Sequence, residues 1–318
     1  MSIVLPEGLP AAAALREEGI AVDQAVGDGR ALRVALVNLM PDRPTTETQF
    51  ARMLGASRHR VELMLTLPPD MPARSCDAGH CARHYRPWHE IERSVPDAVI
   101  VTGAPLERLP FREVRYWDGL CHVLDLVRRG AKPSWFVCWA AQAALWHHHG
   151  VPKHLLAEKA FGVFSHPTSG HGARLLTGIG DGLLTPVSRH SRTDAADLRG
   201  LPSLRVLAAR PDSGLCLADE PGARAVYMLN HPEYDADTLR REYLRDRAAG
   251  RPVRPPEGYF PRGDLAAEPV AFWRPQAVRL FQNWLEEVAG GYRVVAKNSC
   301  IVPSMKAMSC GRRKDAAM

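Results

Sequence analysis

No apolar run in this chain of 318 residues approaches the roughly 20 needed to span a bilayer, so no membrane partner is expected. The opening residues, Met1-Ser2-Ile3-Val4-Leu5-Pro6-Glu7, lack the basic stretch and apolar core of a secretory signal, and the expected compartment is the cytoplasm. No glycine-rich phosphate loop and no Gly-x-Gly-x-x-Gly fingerprint occurs, which disfavours phosphoryl transfer and nicotinamide chemistry. Seven cysteines, an odd number at irregular spacing, make no disulfide framework. The segment Cys76, His80, Cys81, His84 and His89 has a C-x3-H-C-x2-H spacing that fits no standard zinc pattern, so a solvated loop is expected there. A basic stripe is lacking as well. Of the net charge of +6, the residues from Arg293 onward carry +5, so the body is nearly neutral and no nucleic-acid partner is called for.

What the chain does have is alternation. Short runs rich in Val, Ile, Leu or aromatics at 32–39, 97–103, 134–137 and 225–229 read as strands buried on both faces, with weaker candidates at 60–67 and 204–209. Helix-like stretches lie at 45–54, 113–129, 140–149 and 238–246, and a last apolar helix at 275–288. Strands alternating with helices predict a doubly wound α/β fold, a mostly parallel sheet with helices on both faces. The Gly/Ser/His/Pro-rich stretch 157–191 reads as loops able to cover a site. Residues 1–292 read as one catalytic domain and 293–318 as a basic tail expected to be disordered.

The triple histidine His147-His148-His149 precedes Gly150 and Pro152, the signature of a helix end with a glycine cap, where cationic side chains are favourable. Adjacent helical residues point in different directions, so the expected role is structural.

The most informative segment is Trp135-Phe136-Val137-Cys138-Trp139-Ala140-Ala141. An apolar strand stops at one cysteine and a helix follows at once, a layout that exposes a nucleophile at a sharp turn above a sheet. The helix N-terminus favours thiolate over thiol. By itself a lone cysteine is more often buried structure. A second strand, however, runs into His231-Pro232-Glu233, which supplies an imidazole and a carboxylate to the same sheet edge, as a Cys–His–Glu triad requires. Gly103, at the end of a third strand, and Trp139, after the cysteine, could offer oxyanion N–H groups. These residues reach a cysteine acyl-transfer or hydrolytic enzyme without naming its substrate.

Several blocks in the right order carry a resemblance: Val37-Asn38-Leu39-Met40-Pro41, Glu47-Thr48-Gln49-Phe50, Val101-Thr102-Gly103-Ala104-Pro105-Leu106, Phe136-Val137-Cys138-Trp139, His231-Pro232-Glu233-Tyr234-Asp235 and Tyr259-Phe260-Pro261. Over roughly residues 5–290 the chain resembles the homoserine O-acyltransferases of methionine biosynthesis, the type related to class I glutamine amidotransferases. The resemblance implies Cys138 as acyl-accepting nucleophile, His231 as general acid/base and Glu233 as its orienting partner. It further implies Lys159, Ser188 and Arg245 as substrate-binding residues, L-homoserine and acetyl-CoA as substrates, no metal or cofactor, and a homodimer. For Arg245, the residues alone would suggest a surface ion pair with Glu242.

Glu107 decides the expected donor. In the family, glutamate after Thr-Gly-Ala-Pro-Leu accompanies acetyl-CoA and glycine accompanies succinyl-CoA. A carboxylate there narrows the acyl pocket and repels a succinyl carboxylate. Where many members have two lysines after Asn-Leu-Met-Pro, this chain has Asp42-Arg43, and Asp42 reverses a charge expected near the mouth of the site. The competing readings are a succinyl donor, a serine acceptor feeding cysteine synthesis, glutamine hydrolysis and a non-catalytic metabolite-binding regulator. Glutamine hydrolysis would want Gly-x-Cys-x-Gly, where this chain has Phe-Val-Cys-Trp-Ala.

Overall fold

The short apolar runs become strands of one sheet in the computed structural model of the chain, which describes residues 2–24, 30–71, 78–169 and 172–298. In chain order the elements are β1 (Ile3–Val4), α1 (Ala11–Glu17), β2 (Val22–Asp23), β3 (Leu32–Val37), α2 (Arg43–Gly55), β4 (Val61–Thr66), α3 (Ala78–His84), β5 (Tyr85–Arg86), α4 (Trp88–Arg93) and β6 (Ala98–Val101). They continue with α5 (Trp117–Arg129), β7 (Ser134–Val137), α6 (Trp139–His149), β8 (His154–Pro167), β9 (Gly182–Arg192), β10 (Arg205–Arg210), β11 (Gly214–Glu220), β12 (Ala225–Met228), α7 (Thr238–Ala248) and α8 (Arg274–Asn298). Among the described residues no helix is long and apolar enough to cross a membrane.

The large sheet has the order β10-β11-β12-β7-β6-β3-β4-β1-β2, with β5 on β4. From β12 to β2 every pairing is parallel, and β10 and β11 add an antiparallel edge. Side chains alternate across the strands, as the twofold pleat requires. Val34, Leu36, Trp135 and Val137 join the core beneath α1, α2 and α8, whereas Ala35, Val37 and Phe136 join the core beneath α4, α5 and α6. Trp135 stacks on Phe281 of α8 at 4.7 Å between ring centroids. Helices therefore cover both faces, the doubly wound arrangement expected.

The stretch 157–191 departs from expectation. It is largely a two-stranded antiparallel ribbon of β8 and β9, running from His154↔Arg192 to Pro167↔Gly182. Its polar and proline residues hide the alternation because the ribbon is only half buried. Phe161 and Val163 pack with Tyr234, Leu239, Tyr243, Tyr259 and Trp273 into a third apolar cluster. That cluster fixes the ribbon and α7 against each other. Strand β11, buried along its whole length, was also not anticipated. Helix α8 continues to Asn298, across the boundary expected at residue 292. The remainder of the basic tail lies outside the described residues.

Gly119 lets α5 lie against the loop after β4: a Cβ there would meet the Pro69 carbonyl oxygen at 2.0 Å. Backbone cannot yield as a side-chain tip can. Gly119→Ala is expected to cost about 1–3 kcal/mol as overpacking, measured as a lower thermal midpoint than the parent.

Candidate active site

Strand β7 ends at Val137, and the chain must turn at once into α6. Cys138 takes that turn with φ 50° and ψ −116°, a left-handed conformation that is strained for a residue with a Cβ. The N–H of Cys138 donates to the Met228 carbonyl of β12 at 2.7 Å, so the neighbouring strand clamps the turn. A Cβ on Gly103 would lie 3.2 Å from the Cys138 Cβ and 3.5 Å from His231 Cε1. A side chain there would press on the cysteine and the histidine, so glycine gives the β6 loop its close approach. Gly103, Cys138 and His231 thus gather from the carboxyl ends of β6, β7 and β12, where open parallel sheets bind their ligands.

His231 is buried. Its Nδ1 lies 2.7 Å from Glu233 Oε1, its ring stacks on Tyr234 at 4.2 Å, and its N–H donates to the Pro186 carbonyl of the ribbon at 2.9 Å. Burial opposes the imidazolium, but the Cys138 sulfur and the Glu233 carboxylate outweigh it and hold the His231 pKa well above its ordinary value. A proton on His231 is thus favoured between the sulfur and the carboxylate. Arg189, which the sequence reading passed over beside Ser188, is a second cation. Its buried guanidinium donates to the Leu229 carbonyl at 2.9 Å, to Asn230 Oδ1 and to the Ser213 carbonyl at 2.5 Å. Burial lowers its pKa, against the favourable field of the Cys138 sulfur.

A cleft of about 320 Å³ opens over these groups and is lined by Cys138, His231, Glu107, Lys159, Ser188 and Arg245 together with Met40, Tyr234, Glu242, Asp246 and Arg251. Six residues singled out from sequence thus share one cleft, although they come from β7, β9, β12, α7, the ribbon strand β8 and the loop after β6. Ser188 donates its hydroxyl to Glu242, and Lys159 Nζ lies 3.1 Å from Glu242 and 3.3 Å from Asp246. Arg245 pairs with Asp246, at 3.0 Å, rather than with Glu242, and its side chain is 62% exposed at the rim. Glu242 and Asp246 were not picked out because their role depends on facing the ribbon. Their spacing on α7 alone marks only one helical face.

Glu107 lies in the same cleft. Burial raises its pKa, and its own backbone, His231, Lys153 and Lys159 only partly offset this. Lys153 Nζ donates to the Glu107 and Leu109 carbonyls at 2.7 and 2.6 Å, anchoring the loop that carries the carboxylate. Asp42 directly follows the cleft-lining Met40 and Pro41 but does not itself line the cleft. It caps α2, accepting from the Thr45 N–H at 3.3 Å, and the buried Arg43 does not line the cleft either. The Cys/His-rich segment is not the solvated loop expected: Ala78–His84 is helix α3, His84 is buried and His80 Nε2 lies 2.9 Å from Glu47, while Cys76 lies outside the described residues.

The fold and the cysteine turn define a class: the chain has the fold of class I glutamine amidotransferases. A glutamine amidotransferase of Thermotoga maritima superposes with a TM-score of 0.52 at 13% identity, covering 82% of this chain and 99% of the other. One from Methylobacillus flagellatus does so at 0.52 and 12%, covering 81% and 95%. Within that class the sequence profile described as homoserine O-succinyltransferase matches residues 2–292. A homoserine O-acetyltransferase of Rhizorhabdus wittichii is 44% identical over 91% of each chain. One of Cereibacter sphaeroides is 41% identical over 91% of this chain and 96% of its own. The chain belongs to the homoserine O-succinyltransferase family and is an acyltransferase.

Two outcomes test the site. Glu233→Gln removes the carboxylate that supports the His231 imidazolium and is expected to lower kcat by about 10²–10⁴-fold, and to lower the thermal midpoint as well, because the raised His231 pKa is stability drawn in part from that carboxylate. Glu107 binds its proton more tightly in the folded chain than in the unfolded one, so its ionised form costs stability as pH rises above the ordinary glutamate value of 4.5. Glu107→Gln should therefore melt above the parent at neutral pH. In a thermal series that gap should close as pH falls below 4.5.

Proposed function

We propose that the chain transfers an acetyl group from acetyl-CoA to the hydroxyl of L-homoserine through a thioester on Cys138. The observation that carries this reading is the single cleft that joins Cys138, His231 and Glu107 to the Lys159, Ser188 and Arg245 side chains. The relatives' names, homoserine O-acetyltransferase, support the donor, although the family's own description names the succinyl transfer.

In the first half-reaction the Cys138 thiolate attacks the thioester carbonyl of acetyl-CoA. Backbone N–H groups of Gly103 and Trp139 are suited to meet the oxyanion, the C–S bond to CoA breaks, and CoA leaves with a proton from His231. Acylation removes the negative sulfur that helped hold that proton, so His231 remains neutral and becomes a base. In the second half-reaction it takes the proton of the homoserine hydroxyl as that oxygen attacks the acetyl carbonyl. Collapse expels Cys138 as thiolate, and the imidazolium is restored. Arg245, exposed at the rim, offers a forked guanidinium to the homoserine carboxylate. This chemistry calls on no metal or redox cofactor.

A succinyl group would bring its terminal carboxylate toward Glu107. Two carboxylates about 4 Å apart repel by roughly 4 kcal/mol at an effective dielectric of 20. Serine as acceptor is the second reading, one methylene shorter. A nucleophilic thiol fits a reducing cytoplasm, and a homodimer, checked by sedimentation, completes the proposal.

The test is CoA release from acetyl-CoA or succinyl-CoA with homoserine or serine. Acetyl-CoA with homoserine should be fastest by kcat/KM, and Cys138→Ala should abolish turnover. Glu107→Gly should shift the donor ratio toward succinyl-CoA by at least tenfold, since about 1.4 kcal/mol corresponds to that factor. Full turnover in Cys138→Ala would sink the thioester route, and an unchanged donor ratio would sink the role of Glu107.

A further inference from the structure

Away from the cleft, on the face of the sheet covered by α5 and α6, lies a second cluster of chemistry-bearing side chains. The expectation that neighbouring histidines of the triple run would point apart holds only for an isolated helix. In the fold, α5 passes beside the last turn of α6 and sets Asp125 between two of them. His147 Nε2 is 2.8 Å from Asp125 Oδ1, and His148 Nε2 is 3.8 Å from the same oxygen. One donor atom each from Asp125, His147 and His148 falls within a 4.8 Å set. We propose that these three side chains form a binding site for a divalent cation of the zinc class, separate from the catalytic cleft.

The second observation is His148 itself. Its side chain is only 5% exposed, and neither ring nitrogen has a hydrogen-bond partner. An unsatisfied buried polar group is destabilising, and a cation at Nε2 would remove that cost for one nitrogen.

The surroundings agree with a metal site. Cys121, one turn before Asp125 on α5, places Sγ 3.5 Å from His147 Nδ1. His147 Nε2 is hydrogen-bonded to Asp125; a cation at Nε2 would take the place of that proton, with the ring proton on Nδ1 facing the Cys121 sulfur, the way outer groups commonly fix a ligating imidazole. Arg128 is the cation that acts most on His148, but both of its terminal nitrogens are held at 2.8 Å by Glu220. His149 is likewise paired with Glu220, at 3.0 Å, and stands outside the set. Two imidazoles and one carboxylate suit zinc, cobalt or nickel rather than magnesium or calcium, which prefer oxygen. Ligand bonds near 2.0–2.1 Å require donors about 3.4 Å apart in tetrahedral geometry. Small rotamer shifts of His147 and Asp125, which are 24% and 45% exposed, achieve this.

The experiment titrates the chelator-treated full chain with Zn²⁺ by calorimetry and with Co²⁺ by visible absorption. Every sample carries Cys138→Ser, so that the reactive thiol does not compete. One equivalent should bind, with Co²⁺ giving the intense visible bands of a tetrahedral site, and Zn²⁺ should raise the thermal midpoint. Asp125→Asn and His147→Gln, both at partly exposed positions that should tolerate substitution, should each weaken Zn²⁺ binding at least 100-fold and abolish the midpoint shift. His148→Gln should do the same if it folds, and the other two variants decide the matter if it does not. Absence of binding at 100-fold molar excess, or binding that survives both Asp125→Asn and His147→Gln, overturns the proposal.

Discussion

The left-handed turn at Cys138 is the constraint on which the rest of the site depends. A residue with a Cβ at φ 50° carries a strain on the order of 1–3 kcal/mol, and it persists only where the surroundings over-determine it. Here they do so from three sides. Strand β7 is paired in parallel with both β6 and β12, the Cys138 N–H is tied to Met228, and the absent side chain of Gly103 leaves room directly against the cysteine. Helix α6 then starts at Trp139, which is fully buried against Phe111. The sulfur is thereby presented at the mouth of a helix and the edge of a sheet at once.

The antiparallel ribbon links this catalytic edge to the binding side of the cleft. Pro186 of β9 accepts from the His231 N–H, and Arg189 of the same strand gathers the Leu229 and Asn230 oxygens just ahead of that histidine. Ser188, between them, turns to Glu242 of α7. This strand therefore holds the base through the Pro186 backbone carbonyl and the Arg189 side chain, and reaches the acceptor region with Ser188 on the face opposite Arg189. The strand pleat makes both contacts available from adjacent residues. The apolar cluster of Phe161, Tyr234, Leu239 and Trp273 keeps α7 and the ribbon at that separation.

Much of the fold was legible because strands buried on both faces leave continuous apolar runs. The run at 134–137 coincides with β7, and the other strong runs differ from β3, β6 and β12 only at their ends. The ribbon was illegible for the converse reason: its burial comes from α7 and the segment around Tyr259, which are distant in sequence. Asp42 looked like a change at the mouth of the cleft, yet it caps α2, because its backbone position commits the side chain to the Thr45 N–H. Arg189 carried no sequence signal. A buried arginine is recognised only by the carbonyls that surround it.

Local order determined the strand–cysteine–helix turn, the His-Pro-Glu pairing, the glycine at the end of β6 and the family to which they belong, since each is written in residues a few positions apart. Tertiary structure decided which charges meet across the cleft, that Arg245 faces Asp246, that the buried Arg189 charge acts on the nucleophile, and that Asp125 comes between His147 and His148. The physical reason is range. Backbone turns and strand periodicity are set by neighbours in the chain, whereas the field at a buried sulfur or imidazole is set by groups that only packing brings within a few ångströms.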